Sequence, residues 1–309
     1  MRLTAVFSGS MVVLLLAGSA AGQPPPDAVR TRIADFPGVV SLYAKNLDSG
    51  VAVGVRESEP VRTASTIKFP ILCALFDAVE RGRAKWTEPL TVTASARVSG
   101  TGIIGSEISD GVQLPLRDVA HLMIVLSDNT ATNMILERFT ADAVNAYLDK
   151  IGIRTTRSLR KIRGDANDLK ASAGFSAAGK LLDNQKYGIG VSTPRDMVAI
   201  LEKLERGEIV SADASREILA VLKRCQDSTG IRRRLSAMSV ANKTGALDAL
   251  RSDVGIVYSK GGRIAMAITV EGIPKVDYTP DNAGSLLIAD LARMLVDSLG
   301  TATPKDRAN

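Results

Sequence analysis

The sequence predicts an α/β fold in which one antiparallel sheet is built from both chain ends, is flanked by helices and carries an inserted all-α lobe. Two β-rich runs near the start, residues 39–45 and 51–55, are joined by residues typical of a hairpin turn. From Ser65 to about Glu205 the apolar residues mostly recur with helical spacing. β-rich runs return only after Ser239. We therefore expect the helical residues to be inserted between the second and third strands of a single sheet.

The remaining strands and the domain boundaries follow from this pattern. Further strands are predicted at residues 239–243, 253–258 and 264–270, with a turn at 259–262, and a long amphipathic helix, about residues 283–299, closes the chain. The predicted parts are a signal peptide (1–22), an α/β lobe (23–60 and 207–300), an all-α lobe (61–206) and a flexible tail (301–309).

The first residues are predicted to be a secretory signal and not part of the fold. Arg2 supplies a positive charge, residues 12–16 an apolar core, and residues 17–22 a region of small residues. The apolar run is too short for a spanning helix, and no cysteine follows it to accept a lipid. We expect a secreted protein, periplasmic in a Gram-negative source, with no membrane partner after signal removal.

The composition argues against metal sites, nucleic-acid binding and histidine-based catalysis. The chain has 309 residues, 45% of them apolar, with one histidine, two cysteines and a net charge of +6. His121 lies in an apolar helical run, where packing is the commoner role, and a zinc site would need mostly carboxylates. The basic triplet 232–234 has no interleaved aromatic residues. We expect a monomer without cofactors that acts on a small molecule, and pairing of Cys73 with Cys225 stays open.

A serine and a lysine at the start of an apolar helical run form the first candidate catalytic pair. Ser65 and Lys68 are three residues apart, so a helix would place them on one face. A partly desolvated lysine can take the proton of a serine hydroxyl, and the helix N-terminus favours an oxyanion beside the serine. Alone, this spacing is weak evidence, because it arises about once by chance in a chain of this length.

Two further triplets strengthen the catalytic interpretation. Residues 127–129 (Ser-Asp-Asn) end the helical run that carries His121, and residues 243–245 (Lys-Thr-Gly) lie on the first returning strand. A helix C-cap and a polar strand edge are the structural explanations for each triplet taken alone. The chance of both following Ser-x-x-Lys in this order is on the order of a few in a thousand at average composition. The three motifs together therefore indicate a serine acyl-transfer site.

The sequence resembles the class A β-lactamases and the wider family of penicillin-recognising serine enzymes, which share these three motifs. The resemblance covers nearly all of the chain after the signal and supports the α/β fold with an all-α lobe. It implies that Ser65 is the acylated nucleophile and that Lys68 is its base or proton relay. It further implies that Ser127 passes a proton to the leaving nitrogen. The backbone N–H groups of Ser65 and Ala246 would form the oxyanion hole.

The same resemblance assigns the substrate-binding residues. Asn129 would bind the side-chain amide of the substrate, and Lys243 with Thr244 would hold its carboxylate. Arg251, eight residues after Lys243, is either a second carboxylate anchor or a surface charge at a strand end.

The sequence departs from this family in the loop between the second and third motifs. Class A enzymes carry a glutamate there that positions the water for deacylation, whereas no glutamate occurs between Glu137 and Glu202. If Asn167 matches the asparagine that follows this glutamate in the family, Arg163 falls at the position of the glutamate. Asp165 is the candidate deacylation base, and Asp168 is the alternative.

These observations predict a secreted serine hydrolase of the class A β-lactamase type. It would open β-lactam rings through an acyl-enzyme at Ser65, with slow deacylation if no carboxylate replaces the missing glutamate. A DD-peptidase or esterase with the same acylation residues is one alternative. A sensor or binding protein that β-lactams acylate without turnover is the other.

Overall fold

The structure is a computed structural model, and it describes residues 23–164 and 174–301. In this part of the chain the helices are α1 (Asp27–Ala34), α2 (Lys68–Glu80), α3 (Ile104–Glu107), α4 (Leu116–Val125), α5 (Asn129–Phe139), α6 (Ala141–Lys150), α7 (Ala177–Lys180), α8 (Leu182–Gln185), α9 (Pro194–Glu205), α10 (Ala212–Lys223) and α11 (Ala283–Gly300). The strands are β1 (Val39–Asn46), β2 (Ala52–Val55), β3 (Val61–Arg62), β4 (Pro89–Thr91), β5 (Gln113–Pro115), β6 (Arg157–Ser158), β7 (Gly190–Ser192), β8 (Ser239–Leu247), β9 (Leu250–Ser259) and β10 (Gly262–Glu271). Two short 3-10 helices are Ala64–Ile67 and Ile231–Arg234.

The principal sheet joins the two ends of the chain, which confirms the predicted fold class. Its five strands run in the order β2-β1-β10-β9-β8, and every neighbouring pair is antiparallel. The pairing of β1 with β10 brings Val39 opposite Glu271, although the two residues are far apart in the sequence. The helices α2 to α10 are inserted between β2 and β8, with two small sheets among them.

Strands β8 and β9 are longer than the sequence predicted. They form a hairpin closed by the pair Leu247 and Leu250, so the turn consists of Asp248 and Ala249 alone. Neither turn residue is a glycine or an asparagine, the residues that favour such tight turns, and the hairpin was therefore not visible in the sequence. As a result, Arg251 lies inside β9 and not in a loop.

Two apolar clusters lie on opposite faces of the principal sheet, because successive side chains of a strand point to opposite sides. On β9, Ile256 belongs to one cluster and Val257 to the other. The first cluster continues into α2 through residues such as Leu72, and the second continues into α11 through residues such as Leu287. The site residues on β8 are thereby fixed between two packed layers.

Helix α9 contacts the principal sheet, although the sequence assigned residues 61–206 to the all-α lobe. It packs against β1 and β10, and Lys45 Nζ on β1 lies 2.7 Å from Glu202 Oε1 on α9. The predicted domain boundaries stay predictions. Residues 1–22 and 302–309 lie outside the described residues, and so does the predicted signal peptide.

Two further sequence expectations concern the cysteines and the membrane. Cys73 and Cys225 are both buried and free, so they do not form a disulfide in this structure. Across the described ranges, the search for a helix with the length and apolar character needed to span a membrane found none.

Candidate active site

Ser65 lies at the junction between the helical elements and the principal sheet. It belongs to the 3-10 helix that precedes α2, and not to the first turn of α2 as predicted, because α2 begins at Lys68. The preceding residue, Ala64, has a φ of 46°, a left-handed conformation that is strained for a non-glycine residue. The Ser65 side chain is half-buried, so its hydroxyl remains accessible to a substrate.

Strand β8 passes directly beside Ser65 because residue 245 is a glycine. A Cβ atom at Gly245 would lie 3.0 Å from the backbone nitrogen of Ser65 and 2.8 Å from the carbonyl oxygen of Thr63. Any larger residue would therefore push β8 away from the nucleophile. The next residue, Ala246, is exposed, and its place in the oxyanion hole stays a prediction.

Lys68 connects the first motif to the second. Its Nζ lies 2.6 Å from Ser127 O, 2.8 Å from Asn129 Oδ1 and 3.3 Å from Ser127 Oγ. The side chain is fully buried. These contacts bring together three of the predicted residues, and Ser65, the fourth, lies three positions before Lys68 in the chain.

The surroundings of Lys68 favour its neutral form. Burial lowers the pKa of Lys68 well below its usual value, the charge of Lys243 lowers it further, and Asp128 opposes these effects. A neutral amine has two N–H donors and one lone pair. The carbonyl oxygens of Ser127 and Asn129 can only accept, so they take the two donors and leave the lone pair for a hydroxyl proton. Lys68 is therefore placed to act as a base toward serine.

The second motif is held by its own hydrogen bonds. Asp128 accepts from the backbone nitrogens of Ala131 at 2.8 Å, Ile103 at 2.7 Å and Ile104 at 2.9 Å, which caps α5 and ties it to α3. Ser127 has a φ of 55°, again left-handed, and its carbonyl oxygen accepts from Thr101 Oγ1 at 2.7 Å. This strained turn directs the Ser127 carbonyl oxygen and hydroxyl toward Lys68.

Asn129 is oriented by contacts at both ends of its amide. Its Oδ1 accepts from Lys68, and its Nδ2 donates to the carbonyl oxygen of Ser99 at 3.1 Å. The predicted contact with a substrate amide would therefore use the remaining N–H of this side chain.

The third motif places a second buried lysine beside a hydroxyl. Lys243 is fully buried, its Nζ donates to the carbonyl oxygen of Thr244 at 2.7 Å, and burial lowers its pKa. Thr244 Oγ1 donates to Asp227 Oδ2 at 2.7 Å. Asp227 was not predicted as a site residue, because no sequence spacing links it to a residue 17 positions later.

A second acid hydrogen-bonds to a side chain of β8 and was also not predicted. Asp253 is fully buried on β9, opposite Thr244 in the register. It accepts from Asn242 Nδ2 at 2.9 Å and from the backbone nitrogen of Ile231 at 2.8 Å, while burial raises its pKa to about 6. The available sequence signal was that Asp253 is the one acidic residue in the otherwise largely apolar run of β9.

The Arg251 guanidinium already hydrogen-bonds to backbone carbonyl oxygens of the protein. It donates to the backbone carbonyl oxygens of Leu247, Leu250 and Asp277, and its guanidinium lies 5.0 Å from the ring centre of Tyr278. It is buried and not the exposed surface charge that one alternative expected. Its role as a carboxylate anchor stays a prediction.

The loop after α6 contacts helix α5 through the backbone of Ile162. Asn133 Nδ2 donates to the Ile162 carbonyl oxygen at 3.0 Å, and the Ile162 backbone nitrogen donates to Asn133 Oδ1 at 2.8 Å. Asn133 is one helical turn from Asn129, on the same face of α5. Matching Asn167 to the asparagine of the family had put Arg163, the residue after Ile162, at the position of the glutamate. Asp165 and Asp168 lie outside the described residues.

Comparisons with known proteins agree with this geometry. A family model described as the beta-lactamase enzyme family matches residues 25–299. A curated relative, the beta-lactamase regulatory protein BlaB of Streptomyces cacaoi, is 26% identical and covers 84% of this chain and 92% of its own length.

Solved structures show the same fold. The structure of PBP-A is 29% identical, with a TM-score of 0.74, and the match covers 92% of this chain and 99% of PBP-A. A single-residue mutant of PBP-A, solved as an acyl-enzyme complex with penicillin G, is 28% identical, with a TM-score of 0.75, and the match covers 92% of this chain and 100% of that one. A beta-lactamase from Sphaerobacter thermophilus is 26% identical, with a TM-score of 0.74, and the match covers 90% of this chain and 97% of that one.

Proposed function

Because the chain belongs to the beta-lactamase enzyme family and is a serine hydrolase, we propose that β-lactams acylate Ser65 and that the resulting acyl-enzyme is hydrolysed slowly. The contact between Asn133 and Ile162 carries this proposal. At this contact the loop after α6 meets α5, the helix that begins at Asn129, and the loop residue there has an apolar side chain. Acylation and deacylation use different groups, so one step can be efficient while the other is not.

The residues around Ser65 supply each part of the acylation step. Ser65 Oγ attacks the lactam carbonyl carbon while its proton passes to the lone pair of Lys68 Nζ. The backbone N–H groups of Ser65 and Ala246 stabilise the oxyanion. When the carbon–nitrogen bond breaks, the leaving nitrogen takes the proton of Ser127 Oγ. Lys68 Nζ, 3.3 Å from that oxygen, returns the proton to Ser127.

Hydrolysis of the ester needs a base that removes a proton from water, and among the described residues no carboxylate hydrogen-bonds to Lys68. All acceptors that hydrogen-bond to Lys68 in the described ranges are neutral oxygens of Ser127 and Asn129. Asp128, the nearby acid, is occupied by three backbone donors. A missing general base costs about 10²- to 10⁴-fold in rate, so we expect deacylation to limit turnover.

The relatives support acylation by penicillin in this fold. The mutant of PBP-A is described as an acyl-enzyme complex with penicillin G, at 28% identity to this chain. BlaB is named as a beta-lactamase regulatory protein. A DD-peptidase or esterase would use the same acylation residues. It would be recognised by turnover of a D-alanyl-D-alanine peptide or a simple ester.

Adding a carboxylate at position 162 is the sharpest test of the slow step. Penicillin G should give the wild-type protein a burst of one product per enzyme, followed by slow turnover. Ile162→Glu should speed the slow phase by about 10²-fold or more, because the new carboxylate can act as a general base. Both phases are measured by stopped-flow absorbance of lactam opening.

Ile162→Gln is the matched control, because it adds a polar side chain of the same length that cannot accept a proton. It should leave the slow phase near the wild-type rate. Rapid wild-type hydrolysis without a burst would contradict slow deacylation. A slow phase that falls on Asp165→Asn would assign the deacylation base to Asp165.

We also propose that the protein acts outside the cytoplasm as a monomer. The charged, apolar and small-residue segments of residues 1–22 support export, and a small-molecule substrate requires no second subunit. Intact mass and size-exclusion chromatography of the protein recovered from the producing cells test both points. A retained segment 1–22 or a dimer mass would contradict them.

A further inference from the structure

The Thr244 hydroxyl already donates its hydrogen bond to a carboxylate of the protein, that of Asp227. Thr244 Oγ1 donates to Asp227 Oδ2 at 2.7 Å. The other carboxylate oxygen, Oδ1, accepts from Thr229 N at 2.9 Å and from Thr229 Oγ1 at 2.7 Å. A threonine hydroxyl has one proton to donate. A substrate carboxylate that binds to Thr244 must therefore displace Asp227 from that proton.

The charge of Asp227 also matters to an incoming anion. Burial pushes the pKa of Asp227 upward, but the hydrogen bonds from Thr229 and Thr244 and the charge of Lys243 outweigh burial and lower it. Asp227 is therefore ionised at neutral pH. The charges of Asp227 and Asp253 both raise the pKa of Lys243 against the larger effect of burial, so Lys243 already interacts with two carboxylates of the protein.

We propose that Asp227 is a specificity-determining residue that disfavours substrates with a free carboxylate at the Lys243–Thr244 end of the site and favours substrates that are neutral there. The inference rests on the proposed function, which places that end of the substrate beside Lys243 and Thr244. Two carboxylates that compete for one hydroxyl proton repel each other, and like-charge contacts at binding surfaces reduce affinity strongly. Neutral esters and amides avoid this repulsion.

A different role for Asp227 predicts the opposite result. Asp227 raises the pKa of Lys243 and so helps to keep its ammonium charged. If this were its main effect, removal of Asp227 would weaken carboxylate binding. The direction of the change therefore distinguishes a competitor from a supporting residue.

Acylation by penicillin G and by its methyl ester provides a matched test. Asp227→Asn keeps the shape of the side chain and removes its charge. It should raise the second-order acylation rate constant for penicillin G by about tenfold and change that for the ester by less than about twofold. Asp248→Asn removes the same charge from the exposed turn between β8 and β9, and it should leave both constants unchanged.

Benzoate, a simple carboxylate, tests the inference without any acylation step. Its binding is followed by NMR through the signal of the Thr244 backbone amide. The dissociation constant should be about tenfold lower in Asp227→Asn than in the wild type. Asp227→Ser replaces the asparagine variant if its thermal unfolding shows a disturbed fold. An unchanged or reduced preference for carboxylates in both assays would overturn the inference. Absence of any adduct, together with tighter benzoate binding, would contradict the proposed acylation and support the inference.

Discussion

Replacing Ser65 by alanine is expected to abolish covalent labelling by any reactive β-lactam while leaving the fold intact. Ser65 lies in the short 3-10 helix before α2, beside strand β8 and three residues before Lys68. Alanine removes the attacking oxygen, so the acyl ester cannot form at this residue. The measurement is peptide mapping by mass spectrometry after incubation with penicillin G.

Ser109→Ala is the matched control, because Ser109 is exposed and lies outside the catalytic motifs. It should be labelled as fully as the wild type. Thermal unfolding of both variants checks that the fold is retained. Labelling of Ser65→Ala at any other residue would overturn the assignment of the nucleophile.

Replacing Lys68 by alanine is expected to slow acylation by about 10²-fold or more, the usual contribution of a positioned base. Lys68→Arg should be impaired as well, because arginine keeps a positive charge and hydrogen-bond donors but does not lose a proton at accessible pH. The acylation rate constant is measured by stopped-flow methods across a range of pH.

The pH dependence gives this prediction a second readout. Since the pKa of Lys68 is lowered well below its usual value, the neutral amine increases as the pH rises through that lowered pKa. The wild-type rate should rise over the same interval, and both variants should lose this rise. Lys85→Ala, which removes an exposed lysine, should keep it. A wild-type rate in Lys68→Ala would show that another group activates Ser65.

The sequence was sufficient to predict the sheet and the catalytic motifs because their signals are local. The strands of the sheet are short β-rich runs, and residues 65–68 and 127–129 lie at the ends of helices whose periodicity is visible. The meeting of Lys68 with Ser127 and Asn129 could be inferred only through the family resemblance, since no spacing in the chain encodes it.

The contacts that the sequence did not predict all depend on tertiary structure. Asp227 accepts a hydrogen bond from Thr244 although it lies in a separate loop. The Asn133 side chain binds the backbone of Ile162, and a bond to the backbone leaves no side-chain pattern in the sequence. The tight turn at Asp248 and Ala249 lacks the glycine that usually marks a two-residue hairpin turn. We expect the contact of Asp227 to affect specificity and that of Ile162 to affect turnover, and we expect the predicted residues to carry the acylation chemistry.

Intact-mass spectrometry after exposure to excess penicillin G and rapid desalting distinguishes slow release of the acyl group from rapid turnover. We expect a mass increase equal to one whole penicillin G molecule, located on the peptide that contains Ser65, which persists long after the free antibiotic is removed. An unmodified protein together with complete conversion of the antibiotic would contradict slow release. An unmodified protein with intact antibiotic would contradict acylation at Ser65.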